Sequence, residues 1–143
     1  MKLRIVIDKE KEEEEILIYA HKRNSLIESI ERLVESTCEL VAYDGNGAVK
    51  LNENEVYCFI SEKGKTYAIT EKEKLQVKMR LYQLEERLGK NFIRLNQSCI
   101  GNTEKMKRFE AEFSGSLTVT FKNGYKDYIS RRQLRAVKER LGI

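Results

Sequence analysis

The sequence predicts a mainly β protein with a few short helices. Short stretches with strand-like alternation recur at intervals of about 8–12 residues and are separated by turn signals. Only three stretches have the spacing of an amphipathic helix, and the 143 residues contain no proline. This inventory is more typical of an all-β sandwich with appended helices than of alternating βαβ units.

The composition indicates a protein of about one domain that acts in the cytoplasm. Apolar residues make up 41% of the chain and charged residues 35%, which excludes generic disorder and indicates a heavily charged surface. No apolar run approaches the roughly 18 residues of a membrane span, and the first residues lack the apolar core of a signal peptide. Three cysteines without a C-x-x-C pair and a single histidine, His21, favour neither a disulfide framework nor a metal site. We therefore expect no metal or other cofactor.

The first 54 residues are predicted to form a small α/β segment. Its expected order is strand, strand, helix, strand, over residues 3–7, 15–20, 25–36 and 40–43, with the charged run 9–15 as a solvated connection. Leu3, Ile5 and Ile7 alternate with other residues, as in a strand. Ser25 followed by Glu28 has the pattern of a capping box, which predicts the start of the helix.

The remaining chain is predicted to continue as strands with two further helices. Strands are expected near 48–51, 55–60, 66–70 and 75–80, from 92 onward, and over 117–121 and 125–129, with helices over 81–88 and 131–141. Leu81, Leu84 and Leu88 recur at helical spacing, and Ser130 has the place of an N-cap before the last helix. Glycine-containing turns separate the strands.

Charge is divided unequally along the chain. Residues 1–54 hold 8 Lys and Arg against 12 Asp and Glu, a net charge of −4, whereas residues 55–143 hold 19 against 11, a net charge of +8. Such asymmetry indicates a nucleic-acid or other anionic partner for the second part. The alternative, from charge alone, is an ordinary solvated surface.

Common enzyme motifs are absent from the sequence. Gly64-Lys65-Thr66 is similar to the end of a phosphate-binding P-loop, but Phe59 stands where that motif requires its first glycine. The turn is also expected to join two strands, so it lacks the helix N-terminus that holds phosphate. No H-E-x-x-H or G-x-S-x-G is present. We expect that the chain is not an enzyme.

Two polar segments in the basic part are candidates for recognition. Arg131 and Arg132 occupy the first turn of the last predicted helix, where cations oppose the helix dipole; a bound anion or a guanine edge would give them a role, and the alternative is that they point into water. In the second segment, Asn96 and Gln97 can bind adenine, while the alternative is a turn held by its own side chains.

These residues carry a resemblance to a known family. Residues from about 55 to 141 resemble the LytTR-type DNA-binding domain of bacterial response regulators. The likeness runs in order through an opening strand over 55–60, a short helix over 81–88, the segment 92–102, and a closing hairpin with a Ser-Arg turn over 121–132. The chain departs from the family at Asn96, where His is usual, and at Gly101, where Val or Leu is usual.

The resemblance implies an elongated set of short antiparallel sheets whose loops, rather than a recognition helix, enter successive major grooves of duplex DNA. In this family the sites are commonly direct repeats bound by two copies, which implies a homodimer. Carried over by position, the DNA-binding residues are Lys63 and Lys65 in one loop, Arg94, Asn96, Gln97 and Ser98 in a second, and Arg131 and Arg132 in a third.

The resemblance also bears on the organisation of the chain. Residues 1–54 are too short for the phosphorylatable receiver domain usual in the family, so the chain is similar to stand-alone LytTR proteins. Such proteins are often encoded beside a small membrane protein that restrains them, which makes one a candidate partner. We expect a division into residues 1–54, with a role in dimerisation or regulation, and residues 55–143, which bind DNA.

One alternative function remains, a binding module for RNA or for another protein. Single-stranded nucleic acids are usually stacked on exposed aromatic side chains. Phe59, Tyr67, Phe121 and Tyr125 instead occupy alternating strand positions, which favours a place in the core. The sequence therefore favours a transcription regulator that binds duplex DNA.

Overall fold

A computed structural model describes residues 1–12, 14–35 and 39–143, and this part of the chain is mainly β. The helices are α1 (Ser25–Glu35), α2 (Leu81–Arg87) and α3 (Arg131–Leu141). The strands are β1 (Glu39–Tyr43), β2 (Ala48–Asn52), β3 (Cys58–Glu62), β4 (Lys65–Ile69), β5 (Lys74–Val77), β6 (Phe92–Asn96), β7 (Cys99–Asn102), β8 (Met106–Ala111), β9 (Leu117–Phe121) and β10 (Lys126–Ile129). The predicted fold class, mainly β with short helices and antiparallel sheets, is confirmed.

The strands form two antiparallel sheets. The larger one has the order β2-β1-β5-β4-β3-β7-β6, and the smaller one has the order β10-β9-β8. The predicted boundary at 54/55 falls at a short 3₁₀ turn, Glu53–Glu55, and β1 and β2 before it belong to the same sheet as β3–β7 after it. The functional division at that boundary stays a prediction.

The large sheet is covered on both faces, because its side chains alternate between them. On one face Phe59 packs in a buried cluster with Leu84 of α2. On the other face Cys58 and Ile60 lie in a second cluster, which includes Phe121 of β9 and Val137 of α3. The predicted core positions of Phe59 and Phe121 are confirmed, since both are fully buried. Within the described residues, no helix is long and apolar enough to cross a membrane.

The two strands predicted over 3–7 and 15–20 are wrong. Residues 1–8 and 14–20 have no regular secondary structure, and they join no ladder of either sheet. Leu3 and Tyr19 are 86% and 90% exposed. Alternation makes a stretch suitable for a strand, but a strand also needs a partner to accept its backbone hydrogen bonds. Of the four elements predicted over residues 3–43, the helix and the third strand remain, and β2 follows them as predicted near 48–51.

Other elements begin or end elsewhere than predicted. Helix α1 is capped by Asn24 rather than Ser25, because Asn24 Oδ1 accepts a hydrogen bond from Ile27 N at 3.0 Å. The end predicted at residue 36 lies outside the described residues. Strand β3 is shifted to Cys58–Glu62 by the preceding 3₁₀ turn, and the strand predicted over 75–80 ends at Val77. Strands β7 and β8 were not predicted separately.

Candidate nucleic-acid interface

The β3–β4 hairpin presents two lysines at its tip. Glu62 and Lys65 pair across the hairpin, so the loop consists of Lys63 and Gly64 alone. Both loop residues have positive φ, 51° and 77°, as in the type I′ turn that suits the twist of a two-residue hairpin. A Cβ on Gly64 would meet nothing within 4 Å, so the backbone conformation, and not crowding, favours glycine. The side chains of Lys63 and Lys65 are both exposed.

The β6–β7 turn, which joins two paired residues, Asn96 and Cys99, has a buried side chain beside two exposed ones. Asn96 is only 2% exposed. Its Nδ2 donates to Asp127 Oδ1 at 2.9 Å and to Tyr128 O at 2.8 Å, and its Oδ1 accepts from Ser98 N at 2.8 Å. The amide thus bonds inward and fixes the turn, while the side chains of Gln97 and Ser98 face solvent.

Arg94 is the second support of this turn. Its Nε donates to Asn96 O and its Nη2 to Gln97 O, both at 2.8 Å. Its Nη1 donates to Glu85 of α2 at 2.9 Å, and the side chain is 26% exposed. The planar guanidinium therefore holds two successive carbonyl groups while it is anchored to a helix. All three bonds engage Arg94 within the protein.

Asp127 of β10 supports the turn from the adjacent sheet. Besides Asn96 Nδ2, its Oδ1 accepts from Tyr128 N at 2.8 Å, and its Oδ2 accepts from the Tyr125 hydroxyl at 3.4 Å. Burial, and then the charge of Asp127, raise the pKa of Tyr125 well above its ordinary value, so the phenol stays protonated and can donate. A hydrogen bond with Cys58, and then burial, raise the pKa of the Cys99 thiol beneath the turn.

The start of α3 places two arginines beside the turn. Ser130 Oγ accepts from Gln133 N at 3.4 Å, so the predicted N-cap is confirmed. Ser130 N donates to Leu95 O at 2.9 Å, which ties the helix start to β6. Arg131 and Arg132 are exposed, and neither forms an ion pair with another described residue.

The three segments meet at one end of the large sheet. Ser61 N donates to Ser98 O at 2.9 Å, so the β3–β4 hairpin and the β6–β7 turn lie side by side. The bond between Ser130 and Leu95 adds the start of α3. We refer to residues 62–65, 96–99 and 130–132 together as the basic end. Thus the structure brings all eight predicted site residues to this end or next to it, but it turns Arg94 and Asn96 inward.

Positive charge dominates the basic end. Its carboxylate, Glu62, receives a hydrogen bond from Lys74 Nζ at 2.5 Å. That hydrogen bond and the charge of Lys74 lower the pKa of the Glu62 carboxyl below its ordinary value, so the acid stays ionised and paired. Lys63, Lys65, Arg131 and Arg132 form no ion pair among the described residues. Their charges are available to an anionic partner.

Sequence reasoning missed two cations next to the basic end, Lys78 and Arg80. Val77 pairs with Thr66, so the chain leaves β5 beside Lys65 at the hairpin. Lys65, Lys78 and Arg80 line a common cleft of about 340 Å³. Lys78 Nζ lies 4.6 Å from the centre of the Tyr43 ring, a cation–π contact. In the sequence the two cations form a Lys-x-Arg pair directly after a strand. Only the register of β4 and β5 shows that they lie beside the β3–β4 hairpin.

Comparison with known proteins gives consistent results. Residues 46–142 match the family profile of the LytTr DNA-binding domain. Two proteins of Staphylococcus aureus, from strains MSSA476 and NCTC 8325, are each 34% identical to this chain over 146 residues. The alignments cover 100% of this chain and 99% of each relative, and both relatives carry the name HTH-type transcriptional regulator.

A solved structure has the same fold. It is the LytTr DNA-binding domain of a Bacillus cereus methyl-accepting/DNA response regulator, with a TM-score of 0.70 and 22% identity. The match covers 73% of this chain and 97% of that one. At this identity the likeness concerns the fold.

In the described part of our chain, β6–β10 separate α2 from α3 and β1–β5 separate α1 from α2, so no two helices form a helix-turn-helix.

Proposed function

Because the chain belongs to the LytTR family of DNA-binding domains, we propose that it regulates transcription by binding duplex DNA with the basic end. The main support for the proposal is that two loops and the start of α3 meet at one end of the sheet with four exposed cations that form no ion pair with other described residues. Cations confined to one surface can neutralise several phosphates at once, which is the main source of affinity for duplex DNA. No two of the described helices form a helix-turn-helix, so in this proposal the loops of the basic end enter the major groove.

The residues of the basic end have different roles in this proposal. Lys63 and Lys65 contact phosphates on either side of the hairpin tip. Gln97 and Ser98 reach base edges or the backbone from the middle loop. Arg131 and Arg132 read bases, since an arginine can donate two hydrogen bonds to guanine.

Arg94 and Asn96 act as positioning residues and not as DNA contacts. Their polar atoms already bond within the protein, to the turn, to α2 and to β10. Both N–H groups of the Asn96 amide and three of the five N–H groups of Arg94 are used in this way, so Asn96 could donate to a base only if its own bonds broke. Their role is to hold Gln97 and Ser98 in a fixed conformation, which reduces the conformational entropy lost on binding.

The site on DNA is proposed to be a direct repeat occupied by a homodimer in the cytoplasm. Each copy places its loops in successive major grooves, so two copies cover two adjacent half-sites. A small membrane protein that restrains the regulator remains a candidate partner from the resemblance. Neither the repeat nor this partner is needed for a single copy to bind one half-site.

A salt titration tests the proposal. Binding of the full chain to labelled duplex from upstream of its own gene is followed by fluorescence anisotropy at increasing salt. The logarithm of the association constant should fall linearly with the logarithm of the salt concentration, by about 0.9 per phosphate contacted. Tight binding with a flat salt response would contradict the proposal.

Two controls exclude a general effect of positive charge. Arg135→Ala removes an exposed arginine of α3, one helical turn beyond Arg131, whose charge is already offset by Glu139, and should leave the slope nearly unchanged. Arg131→Ala, in the first turn of the same helix, should lower it. Preference for single-stranded RNA over the duplex would favour the alternative function, an RNA-binding module.

A further inference from the structure

The chain before α1 displays apolar surface that nothing in the described structure covers. We call residues 1–12 and 14–24 the arm. Eight large apolar side chains of the arm are between 40% and 90% exposed: Leu3, Ile5, Val6, Ile7, Ile16, Leu17, Ile18 and Tyr19. Single exposed apolar residues are ordinary, but a contiguous set of this size marks an interaction surface.

The apolar stretches of the arm also join no β-ladder with any described strand. Its two apolar stretches, 2–8 and 14–20, are separated by a turn in which Lys11 N donates to Asp8 O at 3.4 Å and Glu10 N donates to Asp8 Oδ1 at 3.0 Å. Neither stretch is hydrogen-bonded as a strand to the other or to a sheet. Each therefore offers the free N–H and C=O groups of an edge strand.

Helix α1 continues this surface. Leu26, Leu33 and Val34 are 42%, 74% and 50% exposed, although the helix is amphipathic. Apolar residues on one side of a helix normally pack against another element. The arm and α1 thus carry exposed apolar side chains in two consecutive segments of the chain.

We infer that the arm and the apolar side of α1 dock on the same region of a second copy of this chain, with strands exchanged between the two arms. This inference deepens the proposed homodimer and rests on it. The occupant is a second copy because the unpaired strands are mutually suitable. Exchange of identical elements between copies is a common route to a dimer, and here each arm can supply the strand that the other lacks.

The available area agrees with a stable dimer. A fully exposed Leu or Ile side chain has an area on the order of 100 Å². Scaled by their exposed fractions, the apolar side chains of the arm and α1 together offer roughly 750 Å² per copy. A standard stable interface buries about 800 Å² on each partner.

Charge favours exchange between unlike stretches. The first stretch carries Lys2 and Arg4, and the second begins with Glu14 and Glu15. Parallel pairing of the first stretch of one copy with the second stretch of the other brings these opposite charges together. Antiparallel pairing within one chain would instead place Asp8 beside Glu14.

Sedimentation velocity of the full chain over a wide range of concentration tests the inference. The wild-type chain should form a dimer, and Ile5→Asp combined with Tyr19→Asp should raise the dissociation constant of that dimer roughly tenfold or more. The matched control is Tyr82→Asp, because Tyr82 lies on α2, is 60% exposed and is outside the arm. It should leave the dimer unchanged. A wild-type monomer throughout, or a dimer that tolerates the arm variant, would overturn the inference.

Hydrogen exchange identifies what covers the arm. Amides of residues 3–7 and 16–19 should gain protection only at concentrations where the dimer forms. Protection that is independent of concentration would mean that the arm packs on its own chain, and it would overturn the inference.

DNA binding separates this inference from the proposed function. The arm variant should bind a duplex with a single half-site as well as the wild type does, since it retains the basic end. If the wild type dimerises through the arm but binds no duplex, the proposed function fails and the dimer interface stands.

Discussion

Asn96 and Gln97 are adjacent side chains with the same amide group, yet they lie in opposite environments. Asn96 is 2% exposed and forms three hydrogen bonds, whereas Gln97 is exposed to solvent. The first residue fixes the conformation of the loop and the second is available to a partner. Residue type alone therefore does not identify a contact residue, because the hydrogen bonds that a side chain already makes decide whether it is available.

The same difference separates two arginines of the site. Arg94 donates to two carbonyl oxygens and to Glu85, but Arg132 forms no ion pair among the described residues. A supporting residue should affect stability when it is changed, and a contact residue should affect DNA binding alone. Substitutions at both kinds of position test that separation.

The largest expected effect on DNA binding is at Arg132. Arg132→Ala should weaken binding to the cognate site roughly 5- to 150-fold, because a bidentate contact with guanine contributes about 1–3 kcal/mol of discrimination. It should flatten the preference among site variants. The unfolding free energy should hardly change, since the side chain is exposed.

The measurement compares a cognate with a scrambled duplex at one salt concentration. An equal loss on both duplexes would make Arg132 a backbone contact and would end its role in base reading.

Asn96→Ala should produce the largest loss of stability. It removes one hydrogen bond from Asp127 and one from the carbonyl of Tyr128 in a part-buried site, and it should lower the unfolding free energy by about 1–3 kcal/mol. Urea denaturation measures the change, and Gln97→Ala is the matched control with no expected loss. Equal stability of the two variants would show that the buried amide does not support the turn.

Arg94→Lys tests whether the turn is supported by the planar guanidinium of Arg94 or only by its positive charge. Lysine keeps the charge but cannot hold two carbonyl groups with a planar fork. Arg94→Lys should therefore lower the unfolding free energy nearly as much as Arg94→Ala, by about 1 kcal/mol or more. If lysine instead restored wild-type stability and DNA affinity, the charge would be the property that matters.

The smallest effects are expected at Lys63. Lys63→Ala and Lys63→Gly should both weaken all duplexes about equally and reduce the salt slope by roughly one unit, because each removes one phosphate contact. Glycine should be more stable than alanine by about 1 kcal/mol, since φ is 51° at this position. A sequence-dependent loss for either variant would contradict a phosphate contact.

Local signals were sufficient for part of the site. The hairpin tip was predictable because Lys63-Gly64 lies between two stretches of strand character, and Gly64 permits the positive φ that the turn needs. The start of α3 was predictable from Ser130, whose hydroxyl satisfies a free N–H group of the first turn. Both features depend on residues only a few positions apart.

The remaining features depend on distant residues. The two oxygen atoms that accept hydrogen bonds from Asn96 Nδ2 belong to residues 31 and 32 positions away, so no local pattern indicates that this side chain is buried. The alternation of β8 is obscured by a shift of register between Met106 and Arg108. The predicted strands of the arm failed for the converse reason, because their local pattern is suitable but the described chain supplies no partner.

An NMR titration of the full chain with a half-site duplex tests whether the basic end is the surface that binds DNA. Chemical shifts of the amides at residues 62–65, 97–98 and 131–132 should change together and saturate with the duplex. The amides of β2, at residues 48–52 on the far edge of the large sheet, should stay unchanged. Changes confined to the arm or to β2, with none at the basic end, would contradict the account.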